Sequence, residues 1–346
     1  MIEIDGSEGE GGGQVIRTAT AMSAITKIPV KITRIRAGRK KPGLKPQHIN
    51  AINAVAKLCN AEVKGCFQNS SEIEFYPGSI EGADMHIDIG TAGSITLVLQ
   101  AMMIPCAYLD KKINISLMGG TDVAWSPPID YLKSVTLEIM RKFGYNAEVE
   151  IERRGFYPKG GGQVVVRLGN HRDFDKINLE QRGEVINIRG ISFAHRGLEG
   201  ANVAKRQKQA ALKYLYQDKF SKNISDIKIK TEYCDALSCG SGIVLWAQAE
   251  NTVIGASASG ERGRSSEKVG AEAAANLTGN LNSPVNSGFA ALDEHAGDQI
   301  VPYLALCKGC ATVSKITGHL RTNVDVVNRF GYNVELDEKN KMLISR

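Results

Sequence analysis

The stretch Asp130–Leu168, DYLKSVTLEIMRKFGYNAEVEIERRGFYPKGGGQVVVRL, contains the pattern on which the fold prediction depends. Its first half has apolar residues at helical spacing, among them Leu132, Val135 and Ile139, which predicts an amphipathic helix. Gly-Tyr-Asn follows at residues 144–146, and glycine and asparagine tolerate the left-handed conformation that ends many helices. The second half alternates apolar and polar residues around a glycine turn, which predicts a β-hairpin.

The same helix–turn–hairpin pattern occurs at two other places in the chain. One copy begins with HINAINAVAKLCNAEV at residues 48–63, and the other is NVDVVNRFGYNVELDEKNKMLISR at residues 323–346. Asn60, Asn146 and Asn333 occupy the same position in the three copies, at intervals of 86 and 187 residues. The second interval is longer by about 100 residues, which is the size of a small domain. The sequence therefore predicts three repeats, the third of which is interrupted by an inserted domain.

We place the inserted domain at residues 181–286 and the large three-repeat domain at residues 1–180 plus 287–346. The insert contains four strand-like segments, VINIRGISFA, DIKIKTEYC, GIVLWAQAE and TVIGASASG, and two helix-like segments, VAKRQKQAALKYLYQD and SSEKVGAEAAANLTGNL. These elements predict a small α/β domain. The large domain is predicted to pack its three units in a pseudo-threefold arrangement, so the chain is assigned to the mixed α/β (α+β) class.

The composition is that of a globular protein, with 346 residues of which 42% are apolar and 23% charged. No stretch approaches the roughly 18 apolar residues of a membrane span, and the N-terminus MIEIDGSEGEGGG lacks the regions of a signal peptide. Seven scattered cysteines favour a reducing compartment over a disulfide framework. We therefore expect a cytoplasmic protein with no membrane partner. The lone pair Cys307 and Cys310 is interpreted as packing at a helix end, with a redox pair as the alternative.

The first glycine-rich motif is GEGGGQVIR at residues 9–17, between a short strand and a helix. Such a turn presents free backbone amides to an anion, and glycine lets a phosphate approach the backbone closely. The motif matches neither the Walker pattern nor the dinucleotide-binding pattern. Glu10 is a candidate ligand for Mg²⁺ or Mn²⁺, and Arg17 is a candidate phosphate ligand. A purely structural turn is the alternative interpretation.

The segment RAGRKKPGLKPQH at residues 36–48 concentrates basic residues in a loop shaped by Pro42, Gly43 and Pro46. A run of charge is usually only a solvated face, but this restricted loop favours a contact with phosphate or RNA. The net charge of +6 permits such a polyanionic partner without requiring one.

Two further glycine motifs carry weaker signals. GTAGSITLVLQ at residues 90–100 is another strand–turn–helix junction, which suits an anion or adenosine contact or only a repeat boundary. YPKGGGQ at residues 157–163 lies in the hairpin of the second repeat, where a structural turn is the favoured interpretation.

Two of the six histidines have neighbours that suggest chemistry. His295 lies in DEHAGDQ at the start of a predicted helix, a location that suits a nucleotide or a metal. His319 lies in TGHLRTN, where a strand turns into the helix of the third repeat. A neutral imidazole is a competent nucleophile toward phosphorus, and Arg321 or a metal is a candidate for neutralising the developing charge. Because the chain has neither a GxSxG serine nor a KxDG-type lysine, histidine is the candidate for any covalent nucleotide adduct.

Seven segments of the chain, taken in order, resemble motifs of the RNA 3′-terminal phosphate cyclase family. They are GSEGEGGGQVIRTA, RAGRKKPGLKPQH, GTAGSITLVLQ, GGTDVAWSPP, RGFYPKGGG, DEHAGDQIVPYLAL and GHLRTN. The resemblance implies three repeats of two helices on a four-stranded sheet with an inserted small α/β domain. This architecture also resembles that of enolpyruvyl transferases, so the fold alone does not decide the function.

The resemblance further implies an ATP-dependent enzyme that closes an RNA 3′-phosphate into a 2′,3′-cyclic phosphate. His319 would attack the α-phosphate of ATP, AMP would then pass to the RNA 3′-phosphate, and the adjacent 2′-hydroxyl would displace it. Glu10 would bind a divalent metal, Mg²⁺ or Mn²⁺, near the ATP phosphates. The other residues that the motifs place at the ATP site are Arg17, Arg39, Gln47, Gln100, Pro128, His295 and Asp298. The chain departs from many bacterial members at His295, where they carry tyrosine.

Two alternative functions are compatible with this architecture. One is a catalytically silent, cyclase-like protein in ribosomal RNA maturation, which the presence of His319, Glu10, Arg17 and Arg39 disfavours. The other is an enolpyruvyl-transferase-like enzyme acting on a small metabolite, which the basic loop at residues 36–48 fits less well.

Overall fold

The computed structural model describes residues 1–169 and 174–346, so His171 lies outside the described residues. Over these residues the chain is a mixed α/β protein with several four-stranded mixed sheets and helices packed on them. The predicted class is therefore confirmed. No helix in the described part of the chain is long and apolar enough to cross a membrane.

The N-terminal segment forms the first four-stranded sheet. Its elements in chain order are β1 (Ile2–Asp5), α1 (Gly13–Thr26), β2 (Val30–Thr33), α2 (Pro46–Leu58), β3 (Glu62–Lys64) and β4 (Ile73–Tyr76). The strand order is β1-β2-β4-β3, with β1 and β2 parallel and the other neighbours antiparallel. The hairpin predicted after the helix of this segment is thus present as β3 and β4.

The next segment forms a second sheet with the order β5-β6-β8-β7. Its elements are β5 (Met85–Asp88), α3 (Ile95–Cys106), β6 (Lys112–Gly119), α4 (Ile129–Tyr131), a π-helical turn (Leu132–Thr136), α5 (Leu137–Arg141), β7 (Ala147–Arg153) and β8 (Gly162–Gly169). The continuous amphipathic helix predicted here is therefore interrupted by a π-helical centre. The widened turn lies where Tyr131 and Val135 pack closely on Gly255.

A single strand, β9 (Ile177–Leu179), leads into a compact unit with its own sheet, ordered β11-β10-β12-β13. The elements of this unit are β10 (Val185–His195), α6 (Val203–Gln217), β11 (Ile227–Cys234), β12 (Ser241–Ala249), β13 (Val253–Ser259) and α7 (Ser266–Leu281), with short 3₁₀ turns at Arg196–Leu198 and Ser221–Asn223. All four predicted strands and both predicted helices are confirmed. Residues such as Ile229, Leu245 and Leu277 form a buried core separate from the main one.

The C-terminal segment completes the structure. Its elements are β14 (Pro284–Val285), β15 (Gly288–Phe289), α8 (Glu294–Cys307), β16 (Gly309–Thr312), α9 (Gly318–Arg329), β17 (Val334–Asp337) and β18 (Met342–Ser345). The last sheet has the order β17-β18-β16-β9. Strand β9, which precedes the compact unit in the sequence, therefore pairs with β16, which follows it. Cys307 ends α8 and Cys310 lies in β16, and all seven cysteines are free thiols.

Three of the four-stranded sheets share one pairing pattern. In each, the first strand runs parallel to the second. The second strand also pairs, antiparallel, with one strand of the hairpin that follows the second helix. Helix α1 packs against α2, α3 and α9, and α8 packs against α9. This packing brings the beginnings of several helices to one place, where the main cleft lies.

Candidate active site

The main cleft has a volume of about 770 Å³ and lies among the first turns of α1, α2, α3, α8 and α9. One residue near the start of each of these helices lines the cleft: Gly13, Gln47, Leu97, His295 and His319. The backbone amides of a first turn have no partner within the helix, and the helix dipole places positive charge there. Several such ends around one cleft make it a site for a polyanion.

The glycine loop before α1 packs against the first turns of α9. Gly9 has a φ of +59°, and a side chain at this position would collide with the hydroxyl of Thr322. That hydroxyl accepts a hydrogen bond from the backbone N–H of Glu10 at 3.2 Å and donates to the carbonyl of Gly318 at 2.8 Å. Glycine is therefore required at residue 9 for the loop to approach α9, which connects the first and last motifs of the sequence.

Glu10 lies beside the proposed nucleophile. Its carboxylate packs against Gly318, the residue before His319, and its Oε2 is 3.8 Å from Nη2 of Arg39. The same Arg39 nitrogen donates to the Glu10 carbonyl at 2.9 Å. The described residues contain no cluster of three or more metal-ligating side chains, so protein side chains alone do not complete a metal site around Glu10. This donor set fits Mg²⁺ or Mn²⁺ held by one carboxylate together with phosphate oxygens and water.

Arg17 is a buried cation, and its side chain makes no salt bridge within the described residues. It is 7% exposed, and its Nη2 donates to Oε1 of Gln14 at 2.5 Å, while its Nε has no hydrogen-bond partner. Burial lowers the pKa of Arg17 to about 10. A buried guanidinium is costly without an anion, so the site is complementary to a phosphate that enters the cleft.

A hydrogen-bond network fixes the helices around Arg17. Gln14 Nε2 donates to Oδ1 of Asn323 at 3.0 Å, and the Thr18 hydroxyl donates to the same oxygen at 2.7 Å. The Asn323 amide donates to the Asp298 carbonyl at 2.7 Å. Asn323, in the GHLRTN motif, therefore connects α1, α8 and α9.

His319 is half-buried in the first turn of α9 and lines the cleft. Burial lowers its pKa, Arg17, Arg39 and His295 lower it further, and the charge of Glu10 opposes them. Its Nδ1 is buried and has no hydrogen-bond partner. The imidazole is therefore held neutral near pH 7, the form with a lone pair available for attack.

The start of α8 contributes His295 and Asp298. Asp293 caps the helix by accepting from the N–H groups of His295 and Ala296 at 3.0 Å each, and its carboxylate also accepts from the Tyr131 hydroxyl at 2.5 Å. The His295 ring meets the Tyr131 ring edge to face, with centroids 5.8 Å apart. Asp298 accepts a hydrogen bond from the hydroxyl of Thr317. Burial raises the pKa of Asp298 to about 7, and nearby carboxylates add to the shift.

The basic loop forms another wall of the cleft. Arg36 has a φ of +54° and donates to the carbonyls of Lys41 at 2.9 Å and Gly43 at 2.8 Å, so the loop folds around its own arginine. Arg36, Arg39 and Lys45 line the cleft. Gln47 accepts from the backbone N–H of Ser94 at 3.3 Å, which joins this loop to the third motif.

Two residues named in the sequence analysis do not line the cleft. Arg321 does not line the cleft, and its guanidinium pairs instead with Glu338. Pro128 is buried at the N-cap of α4, and its neighbour Pro127 lines the cleft. The predicted residues that do line the cleft are Glu10, Arg17, Arg39, Gln47, Gln100, His295, Asp298 and His319. The YPKGGGQ motif is a turn packed on residues 91–92, as its structural interpretation predicted.

His48 also lines the cleft, although no sequence motif assigns it a role. It is the third residue of α2, its Nδ1 accepts from the Lys45 N–H at 3.1 Å, and its Nε2 lies against Gly13. Burial and three neighbouring cations lower its pKa to about 3, so it remains neutral. In the sequence, the only indication of a role for His48 is its place at the end of the basic motif. The packing of α2 on α1 then shows that it faces the cleft.

Comparison with known proteins gives one consistent result. A sequence model of the family described as RNA 3′-terminal phosphate cyclase matches residues 8–335. A Pyrococcus furiosus protein is 45% identical over 95% of this chain and 93% of its own length. An Archaeoglobus fulgidus protein is 43% identical over 99% of this chain and 100% of its own, and a Thermococcus kodakarensis protein is 46% identical over 96% and 93%. All three are named RNA 3′-terminal phosphate cyclase.

Proposed function

The chain belongs to the RNA 3′-terminal phosphate cyclase family, and from this premise we propose that it uses ATP to convert an RNA 3′-terminal phosphate into a 2′,3′-cyclic phosphate. Arg17 and His319 line the same cleft, and this is the observation that carries the proposal. Arg17 is a buried cation whose Nε is unpartnered, which fits a phosphate. His319 lines the same cleft as a neutral imidazole, which has a lone pair that can attack a phosphate.

In the first step a His319 nitrogen attacks the α-phosphorus of ATP. A nitrogen–phosphorus bond forms, the bond from the α-phosphorus to the bridging oxygen breaks, and pyrophosphate leaves. Negative charge grows on the phosphoryl oxygens during this exchange, and Arg17, Arg39 and the surrounding helix starts are placed to stabilise it. Gln100, His295 and Asp298 are assigned to the rest of the nucleotide.

In the second step an oxygen of the RNA 3′-phosphate displaces His319 from the AMP phosphorus, which leaves an RNA–adenylate anhydride. The ribose 2′-oxygen then attacks the RNA phosphorus and AMP departs, so that one phosphorus–oxygen bond forms as another breaks. Adenylation supplies the good leaving group that a terminal phosphate lacks. The 2′-hydroxyl is already adjacent, so ring closure benefits from a high effective concentration.

Glu10 is proposed to hold a divalent cation, Mg²⁺ or Mn²⁺, because its carboxylate lies between Arg39 and the residue preceding His319. The cation would offset phosphate charge during the transfer. The chain's own contribution is to fix the carboxylate through the hydrogen bond of Arg39 to the Glu10 carbonyl.

We also propose a domain organisation and a location for the protein. The shared pairing pattern of three sheets supports three related units in a pseudo-threefold arrangement, like that of the enolpyruvyl transferases. The separate core of the compact unit supports an inserted domain at residues 181–286, between the two parts of the large domain, 1–180 and 287–346. Seven free thiols support a cytoplasmic location.

The proposal is tested with a 5′-labelled RNA oligonucleotide that ends in a 3′-phosphate. With ATP and a divalent cation, we expect a product whose terminal phosphate resists phosphatase and becomes sensitive again after acid opens the ring. A matched oligonucleotide with a 2′-deoxy terminal ribose controls for ring closure, because it can be adenylated but not cyclised. Conversion that does not depend on ATP, or no conversion by folded protein, contradicts the proposal.

A further inference from the structure

Trp125 is an exposed aromatic residue at the cleft that none of the steps above uses. It lies in the loop between β6 and α4, within the GGTDVAWSPP segment, and it lines the same cleft as His319. Its side chain is 99% exposed, and its φ is +67°. A bulky residue rarely adopts a positive φ, and a fully exposed indole gains nothing from burial, so the folded chain alone offers no stabilising reason for this conformation.

The loop that carries Trp125 is held firmly at both ends. Two hydrogen bonds join Thr121 and Gly155. The Thr121 N–H donates to the Gly155 carbonyl at 2.9 Å, and the Gly155 N–H donates to the Thr121 hydroxyl at 2.8 Å. The Ser126 hydroxyl donates to the Val123 carbonyl at 3.1 Å, and the N–H of Ile129 donates to the Thr121 carbonyl at 3.0 Å. The indole is therefore presented on an anchored loop, which keeps the entropic cost of stacking a ligand on it low.

A buried ion cluster strengthens the anchor. Arg154 is nearly fully buried and donates to the carboxylates of Asp122 at 3.2 Å, Asp130 at 2.7 Å and Glu232 at 2.6 Å. Asp122 is three residues before Trp125, and Glu232 belongs to β11 of the compact unit. The cluster ties the loop both to the start of α4 and to the neighbouring sheet.

The position of Trp125 along the cleft points to the class of its ligand. Arg17, Gln100 and Asp298 line both the cleft and a small adjoining cavity, and the burial of Arg17 marks this as the deep end of the cleft. Trp125 does not line that cavity, and its full exposure places it at the mouth. The cations Arg36, Arg39 and Lys45 line the same cleft. An exposed aromatic in a groove that also presents several cations is a combination by which proteins bind single-stranded nucleic acid.

We propose that the Trp125 indole stacks on a nucleobase at the 3′ end of the RNA and so positions the terminal phosphate in the cleft. This inference rests on the proposed function, since it needs an RNA substrate. Stacking is available to every base, so Trp125 contributes to affinity and positioning for single-stranded ends without selecting a sequence. The adenine of ATP is the other base that enters the cleft, and the test below separates the two.

The test compares Trp125→Ala and Trp125→Phe with the wild type, and Tyr216→Ala serves as a control at an exposed aromatic on α6. Two reactions are measured: self-adenylation with ATP alone, and cyclisation of a 3′-phosphorylated RNA at saturating ATP. For Trp125→Ala we expect KM for RNA to rise roughly tenfold, the usual effect of losing one stacked base. KM for ATP in self-adenylation should not change, Trp125→Phe should recover most of the loss, and the control should match the wild type.

An RNA with an abasic 3′-terminal nucleotide provides the second measurement. It should bind the wild type about as weakly as the normal RNA binds Trp125→Ala, and it should show no further loss with that variant. A rise in KM for ATP instead would assign the indole to adenine and overturn the proposal, as would an unchanged KM for both substrates. Absence of cyclisation by the wild type would instead be a failure of the proposed function.

Discussion

The carboxylate of Glu10 packs so closely against Gly318 that any side chain at residue 318 would displace it. Gly318 begins α9 immediately before His319, so one contact joins the glycine loop of the N-terminus to the helix that carries the proposed nucleophile. The two residues are more than three hundred positions apart in sequence. The contact explains why α9 begins with glycine.

Gly318→Ala is therefore expected to impair the reaction without unfolding the protein. Alanine is favourable in a helix, and the atoms it would meet belong to the mobile end of a glutamate side chain, so the free energy of unfolding should change by less than about 1 kcal/mol. The displaced carboxylate should raise the divalent-cation concentration needed for half-maximal self-adenylation by about tenfold or more. Gly279→Ala, on α7 with open space around it, is the matched control. An unchanged cation requirement in Gly318→Ala would remove Glu10 from the metal site.

Arg17→Met is expected to separate stability from activity. Arg17 is buried without a carboxylate partner, so replacing it with an apolar residue of similar length should stabilise the ligand-free protein by about 1 kcal/mol. The same change should abolish self-adenylation, and pyrophosphate should no longer raise the melting temperature. Thermal unfolding with and without pyrophosphate measures both effects. A variant that is strongly destabilised without ligand would mean that the charge is balanced within the protein.

Asp298 is predicted to make stability depend on pH. Burial raises its folded-state pKa from 3.8 to about 7, so the folded protein binds this proton more tightly than the unfolded chain does. Stability contributed by the protonated carboxyl is complete below about pH 4 and is lost as the pH rises through 7. Asp298→Asn removes this loss, so its stability relative to wild type should increase between pH 4 and 8, by at most about 4 kcal/mol. Denaturant titrations across this range provide the measurement, and a pH-independent difference would contradict the shift.

The pH profile of self-adenylation tests the state of His319. Burial, Arg17, Arg39 and His295 lower its pKa below the usual 6.5, so the neutral imidazole already predominates at that pH. The midpoint of the acid limb of the rate profile should therefore lie below pH 6.5. A rate that still climbs between pH 7 and 8 would show that the imidazole is protonated near neutrality, or that another group limits the step.

The basic loop is predicted to give RNA binding a steep salt dependence. Each contact with a single-stranded phosphate contributes about 0.7 to the slope of log affinity against log salt. Lys45→Gln should reduce the slope for a 3′-phosphorylated RNA by roughly that amount. Lys213→Gln, an exposed lysine on α6, serves as the control and should leave the slope unchanged. An affinity that does not depend on salt would remove the loop from the RNA site.

Much of the fold followed from local patterns in the sequence. The hairpins after α2, α5 and α9, and all six elements predicted for the compact unit, are present because their apolar periodicity matches what each element buries. The π-helical turn at Leu132–Thr136 was not predicted, because it lies where the helix packs on Gly255 of another sheet. No pattern local to the helix records that contact.

The site was predicted less completely, because side-chain direction depends on tertiary packing. Arg321 is two positions after His319, and residues two apart on a helix do not face the same side. Its side chain therefore pairs with Glu338, while Arg17 and Arg39 provide the positive charge at His319. His48 was missed for the same reason, since its burial depends on α1 packing over α2.

The most direct test of the account is the identity of the residue that carries the nucleotide. Wild type, His319→Ala and His295→Ala are incubated with α-labelled ATP and a divalent cation, and each variant is checked for folding. An acid-labile, base-stable label is predicted on wild type and on His295→Ala, and no label on His319→Ala. Label that persists on His319→Ala, or that is absent from all three folded proteins, would contradict the assignment of His319 as the nucleophile of this cyclase.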